Sequence, residues 1–258
     1  MIDKWDISQV NLGITRETKY EVAVLPTSAI EPHNTHLPYG QDYLLCNLVA
    51  KRICKEAWGK GARVLYLPGL PYGVDCNLMD FPLAIHVSQQ TLNAMVKDII
   101  VSLKQNGIRK IVLLNGHGGN SFKSFVRQVQ CDHDIHLFTC DWWLAGLDRA
   151  DEFFTEPGDH AGQLETSCCL ATYPDLVGEI VPNTGYDKPF RFDALNEGWM
   201  KTSRNFANLN NECAAGDPAG STAEKGEKYL DMVCDRLTKF LVELSNEPID
   251  ETFPHIKD

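Results

Sequence analysis

Positive charge is scarce in this chain: 24 Lys and Arg stand against 35 Asp and Glu over 258 residues, for a formal net charge of −11. Nowhere do five basic residues run together. Affinity for phosphate backbones comes from clustered Lys and Arg, so nucleic-acid binding is excluded as the basis of function. Long apolar runs are also missing. No stretch approaches the roughly 18 uninterrupted apolar residues of a membrane span, and no membrane partner is expected. The opening residues Met1-Ile2-Asp3-Lys4-Trp5-Asp6 place charges where a signal peptide needs an apolar segment. No Cys-x-x-Cys pair occurs among the nine cysteines, and their number is odd. Neither a disulfide framework nor a zinc ribbon fits. Cys168-Cys169 fall in an apolar helical run and read as reduced thiols used as small core residues, which places the chain in the cytoplasm. No low-complexity or long polar tract is present, so disorder is not expected away from the termini.

What the chain does have is 43% apolar residues, ample for a core. No linker, internal repeat or break in composition divides it, so a single domain over 1–258 is expected. Residues 20–27 read as a buried strand that breaks at Pro26 into a polar loop. The run 42–58 has helical spacing through Leu44, Leu45, Leu48, Val49 and Ile53 and ends at Gly59. A second strand covers 63–67. Ser88 is a good N-cap for a helix with Leu92, Met95, Val96, Ile99, Ile100 and Leu103 on its inner face, closed by Gly107. Residues 110–114 form the most apolar strand, Asn120 is placed to cap a helix to about 130, and a strand follows at 136–140. A helix is expected over 163–172. The last begins at Ser221-Thr-Ala-Glu224, a capping-box spacing, and runs to about 244. Strands alternating with helices imply an α/β fold with a mostly parallel sheet covered on both faces.

Open sheets of this kind place their sites outside the carboxyl ends of the strands. Two loops there are crowded with ligands: Ala29-Ile-Glu31-Pro-His33-Asn-Thr-His36 onward to Asp42, and Asn115-Gly-His117-Gly-Gly-Asn120. Convergence of Glu, His and Asp from separate loops is how metal sites with O and N ligands are built. Glu31 and His33, two apart, point to one side of an extended backbone. Asp42 has two oxygens and can bridge two ions. A third segment, Gly158-Asp-His160-Ala-Gly-Gln-Leu-Glu165-Thr-Ser167, adds a histidine and a carboxylate. A glycine-rich loop between strand and helix also fits a phosphate, although the Lys-Ser/Thr ending of a nucleotide loop is missing.

The pattern Leu-Pro-x-x-small-x-Glu-x-His-x-x-His, an Asp eleven residues after the Glu, and Asn-Gly-His-Gly-x-Asn together resemble the creatininase family. The likeness extends through His160-Ala-Gly-x-x-Glu165-Thr-Ser to Gly216-Asp-Pro and Ala223-Glu-Lys-Gly226, about residues 20 to 230. It implies a three-layer α/β/α sandwich and two divalent ions, zinc and/or manganese with iron also compatible. It further implies hydrolysis of a C–N bond in a small cyclic or linear amide by a metal-activated hydroxide, in a homo-oligomer that is commonly a hexamer. Residue by residue, Glu31, Asp42 and His117 match the ligands of one ion, and His33 and Asp42 match ligands of the other. His160 matches a histidine that shuttles protons. Creatininase proper carries a glutamate two residues after the loop histidine, where this chain has Gly119. Glu165 is the nearest acid to stand in, either as a metal ligand or as a catalytic base. The departure turns expectation away from creatinine itself and toward a deformylase or peptidase branch acting on a nucleotide-like or peptide amide. A non-catalytic, metal-stabilised binding or assembly subunit is the competing class.

Other residues carry two readings each. His36 is either an orienter of the ligands or a plain loop histidine. His86 lies in the irregular segment 68–86 and reads as surface or structural before it reads as site. Asp132-His-Asp-His136 has the composition of a metal site but sits at the opposite edge of the sheet. Trp142-Trp143 are either a wall for a flat substrate or part of a core or subunit interface. Specificity should reside in 68–86 and 183–220, where loops carry function.

Overall fold

In the computed structural model, which describes residues 2–186 and 188–256, four short apolar runs form one parallel sheet. They are β1 (Val22–Thr27), β2 (Val64–Tyr66), β3 (Lys110–Asn115) and β4 (His136–Asp141), in the order β2-β1-β3-β4. The helices are α1 (Leu12–Glu17), α2 (Gln41–Gly59), α3 (Gln89–Gln105), α4 (Lys123–Asp132), α5 (Gln163–Thr172), α6 (Asp193–Asn196) and α7 (Ala223–Asn246).

Side-chain alternation along the strands builds two cores. Val22, Val24, Val64, Tyr66, Val112 and Leu114 face α2, α5 and α7. Ala23, Leu25, Leu65, Ile111, Leu113 and Leu137 face α3 and α4. Both faces are covered, which is why the strands read as continuous apolar runs, and the three-layer α/β/α architecture is the expected one. Among the described residues no helix is long and apolar enough to cross a membrane.

Register positions the site. Thr27 pairs with Asn115, and Asn115 with Asp141, so three strands end level with one another. The Thr27 hydroxyl donates to Asn115 Oδ1 at 3.1 Å, and Asn115 Nδ2 donates to Asp141 Oδ1 at 2.8 Å. This polar row closes the sheet at the edge where the ligand loops leave.

Several local expectations are corrected. β1 does not break at Pro26 but continues to Thr27. The Pro26 carbonyl accepts from Leu70 N on the β2 side, where pairing with β2 has already ended at Val24. Its missing N–H therefore removes no ladder bond. Asn120 does not cap α4, which starts three residues later at Lys123, because its side chain is engaged with Val74 and Asn115 instead. The cap of α7 is Thr222, accepting from Lys225 N; Ser221 Oγ is taken up by Pro218 O. Met95 is 49% exposed, and Leu92, Val96, Ile100 and Leu103 suffice for the inner face of α3. Ser88 caps α3 as expected, and Gly107 takes a positive φ of 83° after it. The short α1 buries no residue, so it left no apolar periodicity in the sequence.

Candidate metal centre

Three segments converge beyond the carboxyl ends of the strands. Glu31 and His33 come from the loop after β1, Asp42 from the first turn of α2, and His117 from the loop after β3. His160 and Glu165 come from the turn entering α5 and its first turn. Asp42 and Glu165 thus sit where unpaired helix N–H groups favour a negative charge. Glu31, His33 and Asp42 are at most 2% exposed, and His117 and His160 are also buried.

Among the described residues the candidate ligand atoms form three triads: Glu31, Asp42 and His117, and His33, Asp42 and Glu165, which share Asp42, and Glu31, His33 and His160. His117 Nδ1 lies 2.8 Å from Glu31 Oε1 and 3.1 Å from Asp42 Oδ2. His33 Nε2 lies 3.1 Å from Asp42 Oδ1 and 3.9 Å from Glu165 Oε1. The other ring nitrogen of His33 faces its own loop, 3.1 Å from Glu31 O, so a proton on Nδ1 leaves Nε2 bare toward the centre. Glu165 is aimed by strained backbone: Ala161 takes a φ of 54°, and its N–H donates to Glu165 Oε2 at 2.6 Å. The second oxygen is left for the cluster.

These contacts do not satisfy the groups that make them. His33 Nε2 and Asp42 Oδ2 are buried and have no aligned hydrogen bond, although each lies close to a neighbour. Burial works against charge on His33, but Asp42, ahead of Glu165 and Glu31, lifts its pKa to about 10. Burial raises Glu31 to about 8 and Glu165 to about 7 against the attraction of the histidines. Asp42 is held well below the usual carboxylate range, against burial, by His33 and His117. Buried polar atoms without partners and carboxylates crowded together are costly, and a divalent cation placed among them relieves both. Two Glu, a shared Asp and two imidazoles form an O/N donor set that zinc, manganese or iron accepts.

His160 stands beside this cluster. Its Nε2 lies 2.9 Å from Pro32 O; a carbonyl only accepts, so Nε2 carries the hydrogen and Nδ1 is bare. Nδ1 is 3.9 Å from Glu31 Oε1, and the ring stacks on His33 at 4.1 Å. Phe206 meets His160 edge-on at 5.1 Å, and the Arg204 guanidinium lies over Phe206 while pairing with Asp159. A chain of ring contacts therefore leads from Arg204 through Phe206 and His160 to His33 in the buried centre. The cavity above it has a volume of about 310 Å³ and is lined by, among others, Gly118, Trp143 and Arg204.

The sequence model of the creatininase family, described as creatinine amidohydrolase, matches residues 13–241. This chain belongs to the creatininase family. Creatinine amidohydrolase of Pseudomonas putida is 32% identical over 176 residues, 60% of this chain and 66% of that enzyme. The match thus spans just under two thirds of that relative. Among solved structures, a Bacteroides fragilis protein provisionally named creatinine amidohydrolase is 33% identical, with a TM-score of 0.89 over 97% of this chain and 100% of that one. Two creatininase structures, one named as a manganese form and one a variant named as zinc–zinc, share the fold. Each is 24% identical, with a TM-score of 0.78 over 95% of this chain and 100% of theirs.

Within this creatininase fold the expected site residues come together: Glu31, His33, Asp42, His117, His160 and Glu165 all face one cavity or its floor. Gly119, the position of the departure, shows why no side chain is there. An added Cβ would lie 2.3 Å from Val74 O and 2.3 Å from His117 Nε2. His36 is buried, with Nε2 2.8 Å from Thr166 Oγ1, and ties the ligand loop to α5 beside Glu165. Trp142 is buried in the core and borders the cavity together with half-buried Trp143. The Asp132–His136 segment lies at the amino end of β4, away from the site, where Asp134 pairs with Arg109. His86 accepts from Asp75 N at 3.1 Å.

Asp75 itself, fully buried and 2.9 Å from His117 Nε2, was not legible in the sequence. It lies in the irregular segment 68–86, where neither spacing nor motif marks it. Phe206 was missed for the same reason.

Proposed function

We propose that this chain, as one domain, is a dinuclear metal-dependent amidohydrolase that cleaves the C–N bond of a small cyclic or linear amide. The observation that carries the reading is the pair of ligand triads sharing Asp42 on the floor of a cavity, buried but for the half-buried Glu165. Glu31, Asp42 and His117 would hold one ion; His33, Asp42 and Glu165 the other, with zinc or manganese favoured by the donor set and by the ions that name the solved creatininases. Divalent ions at such a site supply a water deprotonated near neutral pH and a Lewis acid for the carbonyl oxygen.

The chain's own residues do the rest. Asp42 holds both halves of the centre at a fixed separation. Glu165, pinned through Oε2 by the Ala161 N–H, takes the place of the glutamate missing at Gly119. His160, fixed by Pro32 O, presents a bare Nδ1 that takes a proton and returns it to the departing nitrogen. Trp143 and Phe206 wall the cavity and keep bulk water from the amide. A volume of about 310 Å³ is at the small end for ligand pockets, which suits a compact amide. Gly119 disfavours creatinine and favours the deformylase or peptidase type of amide.

The experiment is metal analysis followed by a hydrolysis screen of cyclic amides, formamides and short peptide amides, with and without chelator. Chelation is expected to abolish hydrolysis, and either ion added back should restore it. Full activity in a protein shown to be metal-free would sink the reading. A chelator that only lowers the melting temperature, with no substrate found, would favour the binding or assembly subunit. His160→Ala is expected to lower turnover by about 10²–10⁴ with the metal content unchanged. Unaltered turnover at saturating substrate and metal would remove His160 from the proton path, and a lost ion would make it a ligand.

A further inference from the structure

We infer that Asp75 is a positioning residue for the metal centre: its carboxylate fixes His117 with the proton on Nε2, so that Nδ1 faces Glu31 and Asp42. The inference rests on the metal reading above and adds a residue outside the motifs that support it.

Asp75 is 0% exposed, and neither of its oxygens makes an aligned hydrogen bond. Its nearest opposite group is His117 Nε2, 2.9 Å from Oδ1. A buried carboxylate with nothing to offset it is strongly destabilising, so this proximity has to serve a purpose. Val74 O lies 3.2 Å from the same nitrogen. Two acceptors thus converge on Nε2, and acceptors demand a donor there. Nδ1 also faces two acceptors, but a cation bound there needs its lone pair, which leaves the single hydrogen of a neutral ring on Nε2. With hydrogen on Nε2, Nδ1 is a bare lone pair directed at Glu31 Oε1 and Asp42 Oδ2, 2.8 and 3.1 Å away. Three electron-rich atoms facing one another call for a cation between them.

The segment carrying Asp75 is clamped from both sides. Asn120 Oδ1 accepts from Val74 N at 3.1 Å, while Asn120 Nδ2 donates to Asn115 Oδ1 at 3.0 Å. His86 Nδ1 accepts from Asp75 N at 3.1 Å. Gly73 lets the backbone come this close, since a Cβ there would lie 2.5 Å from Ser28 O and 3.2 Å from His117 Cδ2. The last residue of Asn-Gly-His-Gly-Gly-Asn therefore holds the Asp75 segment against the histidine of its own motif.

The test compares wild type with Asp75→Asn in zinc affinity, measured by competition with a chromophoric chelator. One of the bound zinc ions is expected to be held about 10–100-fold more weakly in the variant, with the melting temperature of the zinc-free protein not lowered. Asp75→Glu, which keeps the charge, should recover part of the affinity. Equal zinc affinity in wild type and Asp75→Asn overturns the inference alone. A wild type that takes up no zinc overturns the metal reading and this inference with it. A second measurement needs no variant: nitrogen NMR of histidine-labelled, zinc-loaded wild type should show His117 protonated at Nε2. A proton at Nδ1 overturns the assignment.

Discussion

Glu165→Gln is expected to lower the metal content of purified protein from about two ions per chain to about one, with hydrolysis falling alongside. The substitution keeps volume and the acceptor facing Ala161 N but removes the charge that completes the His33–Asp42 triad. Loss should be selective, because the Glu31–Asp42–His117 triad does not involve Glu165. Elemental analysis of wild type and variant purified side by side decides it. Two ions retained in the variant, with activity lost, would make Glu165 a base and leave the second ion without this ligand. Retention of both ions and of activity would remove Glu165 from the centre altogether.

The second large effect is on stability. Gly226 sits in α7 where it crosses α5, and a Cβ added there would lie 2.0 Å from Ser167 O. That atom is backbone inside a helix, so no side chain can swing aside, and the two helices must part. The contact between them is the most extensive pairing of helices in the fold. Overpacking of this kind costs on the order of 3 kcal/mol. Gly226→Ala should therefore lower the melting temperature by about 6–12 °C for a chain of this size. Differential scanning calorimetry reads it directly, and a shift under about 2 °C would show that the helix pair is more compliant than its geometry implies. Because Glu165 lies two residues before Ser167, a weakened second ion should accompany the loss.

Sequence reading recovered the sheet because each strand is buried on both faces and so announces itself as an apolar run. It singled out Glu31, His33, Asp42 and His117, which the structure brings together, because they sit at fixed separations just after two of those strands. Glu165 was singled out as the nearest acid to stand in for the missing glutamate, in a segment that resembles the family's His-x-x-x-x-Glu-Thr-Ser. Asp75 and Phe206 were not reachable. They lie in segments without periodicity, and what makes them matter is contact with His117 and His160 across 42 and 46 residues of chain. Asn120 was visible but misassigned. An Asn before a helix fits a cap, and only the position of Val74 shows that its carbonyl oxygen is already used.

The packing of Gly119 against Val74 O and the ring of His117 bears on how relatives of this chain should be compared. In the centre proposed above, the acid that Gly119 has no room to carry is supplied by Glu165, 46 residues downstream in a segment that resembles the family's own. Column-by-column scoring reads such a protein as having lost a ligand. A survey that asks which relatives lack room for a side chain at the Gly119 position, and which hold the Glu165 acid on a backbone amide, would show whether the two features travel together.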